Sequence, residues 1–90
     1  MNTESIDCRR VQFGEMERPG DFTFNEEFDC IYVWLPGRLS PDALHIQKGP
    51  QGPERVWGWD GNEVFPTLTP SIHDVGYWHG HMQNGRLVSC

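Results

Sequence analysis

Residues 77–90 read Tyr77-Trp-His-Gly-His-Met-Gln-Asn-Gly-Arg-Leu-Val-Ser-Cys90. Asn84-Gly85 is a turn pair, because a tight two-residue hairpin needs positive φ at both central positions. The flanks then predict an outgoing strand, Tyr77–Gln83, and a return, Arg86–Cys90. In that register Met82 faces Leu87, His81 faces Val88 and His79 faces Cys90. Alternation puts Trp78, Met82 and Leu87 on one face and His79, His81, Val88 and Cys90 on the other.

Working back, Arg55–Trp59 reads as a strand with both Trp on one face. Asp60-Gly61 carries a second hairpin signal. The return segment, Glu63 to Ile72, contains Pro66 and Pro70, which cannot donate to a ladder. It therefore belongs at a sheet edge or crosses between sheets. Val64, Leu68 and Ile72 keep one parity and are expected inside. His73-Asp74 reads as loop, with local turn chemistry.

Phe28–Leu35 is the most apolar run, rich in aromatic and β-branched residues. Both of its faces are apolar, which predicts a central strand. Leu44–Ile46 reads as a strand rather than a helix, because two Gly-Pro pairs follow too closely for helix nucleation. Asp21–Asn25 alternates, with Phe22 and Phe24 on one side, and Pro19-Gly20 turns the chain before it. Cys8–Phe13 is expected to form a short strand with Val11 and Phe13 on one face. Residues 1–8 are expected to be loose or extended.

The fold class that follows is all-β. We expect a small antiparallel sandwich or partly open barrel of about six to eight short strands, with little or no helix. Ninety residues suit one domain spanning 1–90. Seventeen Gly and Pro residues fit many turns, and a core this small is expected to lean on large rings.

Seven basic against thirteen acidic residues give a net charge of −6. That sign repels phosphate and argues against nucleic-acid binding. No apolar run approaches the ~18 residues of a membrane span, and the N-terminus lacks a signal-peptide pattern. Three cysteines do not fit a secreted disulfide framework. These features point to a reducing compartment, most simply a bacterial cytoplasm.

The sharpest cluster of chemistry-bearing residues is His79, His81 and Cys90. Histidines at i and i+2 on a strand point the same way, and a cross-strand cysteine lies close enough to share a Zn²⁺ ion with them. Cys30 or His45 could supply a fourth ligand. Ordinary sheet histidines and a terminal cysteine account for the same pattern, and no Cys-x-x-Cys pair is present. Cys90 or Cys30 with His79 could form a nucleophile pair, but no orienting acid or oxyanion hole is marked. No carboxylate pair, phosphate-binding loop or serine elbow stands out, so the reading is non-enzymatic. Of the tryptophans, Trp34, Trp57, Trp59 and Trp78, most are expected in the core. Trp57, Trp59, Trp78 and Tyr77 are the candidates for a protein-binding surface.

Pro19-Gly-Asp-Phe-Thr-Phe24, Cys30 leading to Leu35-Pro36, Trp57-Gly-Trp-Asp-Gly-Asn62, Pro66-Thr-Leu-Thr-Pro-Ser-Ile72, Trp78-His-Gly80 and Asn84–Cys90 follow one another in an order that resembles a family of small uncharacterised proteins encoded by phages and prophages. The resemblance spans roughly residues 19–90. Members of that family often carry a Cys-rich turn like part of a zinc site near the position of Cys30, where this chain keeps one cysteine. The resemblance implies a bacteriophage context and no established activity. Together with the acidic, ring-rich composition, it suggests a viral protein that binds a protein partner, in the viral capsid or in the host. A capsid decoration or cement role in the virion comes first; inhibition of a host or anti-phage defence protein is the alternative. Short edge-capable strands also suit a homo-oligomer.

Overall fold

The computed structural model describes residues 5–26, 28–48 and 57–90. Ten short strands make up the described chain: β1 (Ser5–Asp7), β2 (Arg9–Arg10), β3 (Asp21–Phe24), β4 (Cys30–Val33), β5 (Asp42–Lys48), β6 (Trp57–Trp59), β7 (Leu68–Thr69), β8 (Ile72–Asp74), β9 (Trp78–Gln83) and β10 (Arg86–Ser89). They form a four-stranded sheet, β1-β10-β9-β8, and a six-stranded sheet, β2-β3-β4-β5-β6-β7, one of which curls into a half-barrel. The fold is a small β sandwich bordering on a partly open barrel, as expected. Two pairings, β2–β3 and β5–β6, are parallel within an otherwise antiparallel set. No described helix is long and apolar enough to cross a membrane.

The closing hairpin has the predicted register, with Met82 opposite Leu87, His81 opposite Val88 and Gly80 opposite Ser89. Asn84 and Gly85 both take positive φ, 50° and 72°, which is the mirror-type turn that matches the right-handed strand twist. The tip is tied to the other sheet's loop: Gly85 N–H donates to the Pro66 carbonyl and Asn84 N–H to Thr67 Oγ1, both at 2.9 Å. A side chain at position 85 would also press on Phe65 Cα.

Buried side chains from both sheets meet in one core. Phe22, Ile31, Val33, Leu44, Ile46, Trp59 and Leu68 come from the larger sheet, and Ile72, Met82 and Leu87 from the smaller. The interior is mainly aliphatic, which corrects the expectation that rings would fill it. Phe24, Phe28, Trp57 and Trp78 are half-buried and flank this core. Phe28 stacks on Trp59 with ring centroids 6.0 Å apart. β4 is the central strand predicted, with Ile31 and Val33 wholly buried between β3 and β5.

Three other readings need correction. Phe13 lies in a 3₁₀ turn, Phe13–Glu15, and is exposed rather than on a strand face. Ser5–Asp7 is extended, one of the two states expected for it, and pairs with β10. Asp60-Gly61 is not a two-residue hairpin, because Trp59 pairs with Leu68 and the loop runs from 60 to 67. Side-chain oxygens hold that loop: the Asp60 carboxylate Oδ1 accepts from Asn62 and Thr67 N–H, and the Asn62 amide Oδ1 accepts from Val64 and Phe65 N–H. Such local acceptors replace ladder partners. They also leave Val64 exposed, against its expected inward parity. Arg55 and Val56, the start of the predicted Trp57 strand, lie outside the described residues.

The two prolines act as expected. Leu68–Thr69 is the edge of one sheet and Ile72–Asp74 the edge of the other, so the chain crosses between sheets at Pro70-Ser71. His73-Asp74, read as loop, belongs to β8.

Gly80 on β9 is buried under the Trp78 indole, and a methyl group there would overlap that ring and the Val88 carbonyl. Gly80→Ala should therefore destabilise the protein by about 1–3 kcal/mol, measured by urea unfolding. An unchanged midpoint would show that both the indole and the Val88 carbonyl give way freely.

Candidate functional site

β8 and β9 are antiparallel, with Ile72 opposite Gly80, His73 opposite His79 and Asp74 opposite Trp78. Ile72 and Gly80 are buried, so alternation turns Ser71, His73, His79 and His81 to the outer face. There Ser71 is the diagonal neighbour of His79, within reach of a long side chain. Its Oγ lies 3.4 Å from His79 Nε2. The His73 and His79 rings face each other with centroids 4.6 Å apart and planes inclined by 30°.

Ser71 is anchored by Trp57, whose indole N–H donates to the Ser71 carbonyl at 3.4 Å. The backbone enters through a cis Thr69-Pro70 bond. Ser71 is half-buried and His79 exposed, so the pair stands on an accessible surface. A pocket of about 260 Å³ is lined by Leu35, Leu44, Trp57 and Ile72 as apolar wall and by Asp42, His73 and Asp74 as polar wall; Ser71 and His79 themselves do not line it. Burial, then the hydrogen bond and charge of neighbouring Asp74, push the Asp42 carboxyl above its ordinary value, and Arg38 opposes the shift. Arg38 reaches both acids, at 3.2 and 3.5 Å.

The serines are not equivalent. Ser89 Oγ accepts from the Trp78 indole and Ser5 Oγ from Arg86. Among the described residues, Ser71 is the serine whose hydroxyl meets a histidine. A serine hydroxyl against an imidazole nitrogen is the minimal pair for nucleophilic catalysis, since the ring takes the proton as oxygen attacks.

The model of one protein family, "bacterial ubiquitination-like system serine protease (BubE)", matches residues 10–90. The chain belongs to the BubE family. No curated protein and no solved structure matches it. The BubE match overturns the non-enzymatic reading. It equally overturns the capsid decoration or cement role and the host-directed inhibition offered as its alternative. Acidic charge and surface rings are compatible with many roles, enzymatic ones included, so they do not exclude catalysis.

Within this BubE-family chain, the sequence-predicted site residues are dispersed. His79 faces Ser71 and His73, whereas Cys90 Sγ approaches His81 Nδ1 at 3.8 Å. Cys30 is buried in the larger sheet, opposite His45. Among the described residues no three His, Cys, Asp or Glu side chains come close enough to hold a metal ion. The shared face of His79, His81 and Cys90 was correctly read, but the side chains diverge along it. Of the proposed surface rings, Trp59 is buried and Trp57 and Trp78 are half-buried and hydrogen-bonded. Tyr77 is exposed and carries the Arg38 guanidinium 4.4 Å from its ring centre.

The three cysteines are free. Burial, then the charge of Asp7, push the Cys8 thiol up to about 12, and burial also raises Cys30. Thiolate is the reactive species. Iodoacetamide at pH 8 should therefore alkylate Cys90 in the native protein and spare Cys8 and Cys30. Peptide mapping checks this, and equal labelling of Cys8 would contradict it.

Proposed function

We propose that this chain is a serine-type hydrolase of amide bonds, acting in a bacterial ubiquitination-like system, with Ser71 as nucleophile and His79 as general base. The observation that carries the proposal is the 3.4 Å approach of Ser71 Oγ to His79 Nε2 in a chain of a serine protease family. Catalytic hydrogen bonds are often this long without substrate.

The chemistry follows from the two side chains. With its ring proton on Nδ1, His79 accepts the Ser71 hydroxyl proton at Nε2 while Oγ bonds to the substrate carbonyl carbon. The resulting imidazolium returns that proton to the leaving amine as the C–N bond breaks, leaving an acyl ester on Ser71. Water then gives a proton to His79, attacks the ester carbon, and releases a carboxylic acid with the hydroxyl restored.

The partner is a protein substrate. The open outer face of β8 and β9, where Ser71 is half-buried and His79 exposed, suits a macromolecule. Three free cysteines fit the reducing bacterial cytoplasm.

Pre-steady-state hydrolysis of p-nitrophenyl acetate tests the proposal. A burst of one p-nitrophenolate per chain, absent from Ser71→Ala, is expected. A burst that persists in Ser71→Ala would reject Ser71 as nucleophile.

A further inference from the structure

We propose that His73 is a positioning residue for His79, holding the imidazole in the orientation that serves Ser71. This rests on the Ser71–His79 reading above.

A general base needs an orienter. The usual one is a carboxylate bonded to Nδ1, yet among the described residues none reaches His79, whose side-chain hydrogen bond is to Ser71. An exposed strand histidine otherwise samples several rotamers, and holding it in one carries an entropic cost.

His73 supplies the constraint through its ring face. It is the direct cross-strand partner of His79, where Cβ atoms lie only ~4.5–5.5 Å apart. The ring planes are inclined by 30° at 4.6 Å, a face contact rather than an edge hydrogen bond. That contact limits rotation of His79 about both side-chain bonds and leaves Nε2 on the Ser71 side. Both elements are short: β8 ends in a turn at 75–77, closed by Tyr77 N–H donating to the Asp74 carbonyl at 2.9 Å. Ser71, His73 and His79 thus ride on one hairpin, so their relative placement depends on one register.

The contact is one of flat rings, so it can be kept without the titratable nitrogens. Steady-state hydrolysis of p-nitrophenyl acetate by the full chain separates the cases. His73→Ala should lower kcat by about 10- to 100-fold with KM little changed, the size of effect that misorienting a reacting group produces. His73→Phe should recover most of the loss, and both variants should melt near the wild-type temperature. A His73→Ala enzyme with unchanged kcat, beside inactive Ser71→Ala and His79→Ala, overturns the role of His73 alone. Failure of His73→Phe to recover activity while folded overturns the ring-face argument. Full activity in Ser71→Ala and His79→Ala instead overturns the reading on which this rests. If His73→Ala does not fold, His73→Thr, a ringless strand former, takes its place: a lower kcat that His73→Phe recovers supports the contact, and an unchanged kcat rejects it.

Discussion

Replacing Ser71 by alanine should abolish hydrolysis, lowering kcat by about 10⁴-fold or more while leaving the fold intact. Ser71 is half-buried, and its described contacts are the hydroxyl approach to His79 and the carbonyl that accepts from Trp57. Alanine keeps the carbonyl and removes only the hydroxyl, so stability should change little. The rate should collapse, because no covalent intermediate can form and residues of a nucleophile–base unit act together. His79→Ala should fall by a similar factor, and the double variant scarcely further. Additive losses in the double variant would mean that the two side chains act separately. Steady-state rates for the three variants, with their melting curves, make the comparison.

The second large effect concerns stability and lies far from the site. Asp21 is wholly buried at the start of β3. Its carboxylate accepts two hydrogen bonds from the Arg9 guanidinium, at 3.0 and 2.8 Å, and one each from the Glu17 and Arg18 N–H groups, at 2.9 and 3.3 Å. It thereby fixes the bend that brings β2 alongside β3 in parallel. Asp21→Ala removes the acceptor of two part-buried backbone donors and of the Arg9 guanidinium, and hydrogen bonds to a charged group contribute about 1.5–3 kcal/mol each when buried and less when part-exposed. A loss of about 2–4 kcal/mol at pH 7 is expected, a large share of the margin of a small domain.

The acid behaviour of Asp21 has a definite sign. Burial alone would raise its carboxyl, but the Arg9 hydrogen bonds and the Glu17 N–H outweigh it and hold the group below its ordinary value. A depressed folded value means that the stabilisation is complete above the unfolded value, about 4. It is lost as pH falls through the lower folded value. The difference between wild type and Asp21→Ala should hold constant from pH 5 to 7 and shrink below about pH 4. Urea unfolding at pH 7 and pH 3 measures both ends. An equal difference at the two values would mean that Asp21 titrates alike folded and unfolded.

Much of the fold was legible because a few local signals agree. Asn84-Gly85 and the alternation around it set the closing hairpin, and Pro66 and Pro70 marked a segment that changes sheets. Asp60-Gly61 misled because Asp60 and Asn62 satisfy the backbone themselves, so the turn residues close a wider loop. The aliphatic interior was obscured because large rings dominate area estimates, yet most of them lie around its margin.

The proposed site was half visible. His79 and His81 were placed on the correct face, since strand alternation requires it. Ser71 was missed because its contact depends on the register between β8 and β9, which His73-Asp74 hid by reading as loop. Treating residues 72–74 as a strand would have supplied the signal. With Ile72 opposite Gly80, His73 falls opposite His79 and Ser71 comes diagonal to it. The histidines had instead been grouped with Cys90, whose thiol meets His81.

The central claim is that one hydroxyl, activated across the β8–β9 pair, carries the chemistry. Peptide mapping after treatment of the native protein with a fluorophosphonate tests it most directly. We predict a single phosphonyl adduct on Ser71, formed far more slowly in His79→Ala. An adduct on Ser5, Ser40 or Ser89 in place of Ser71, or equal labelling of Ser71 in the His79→Ala variant, would contradict it.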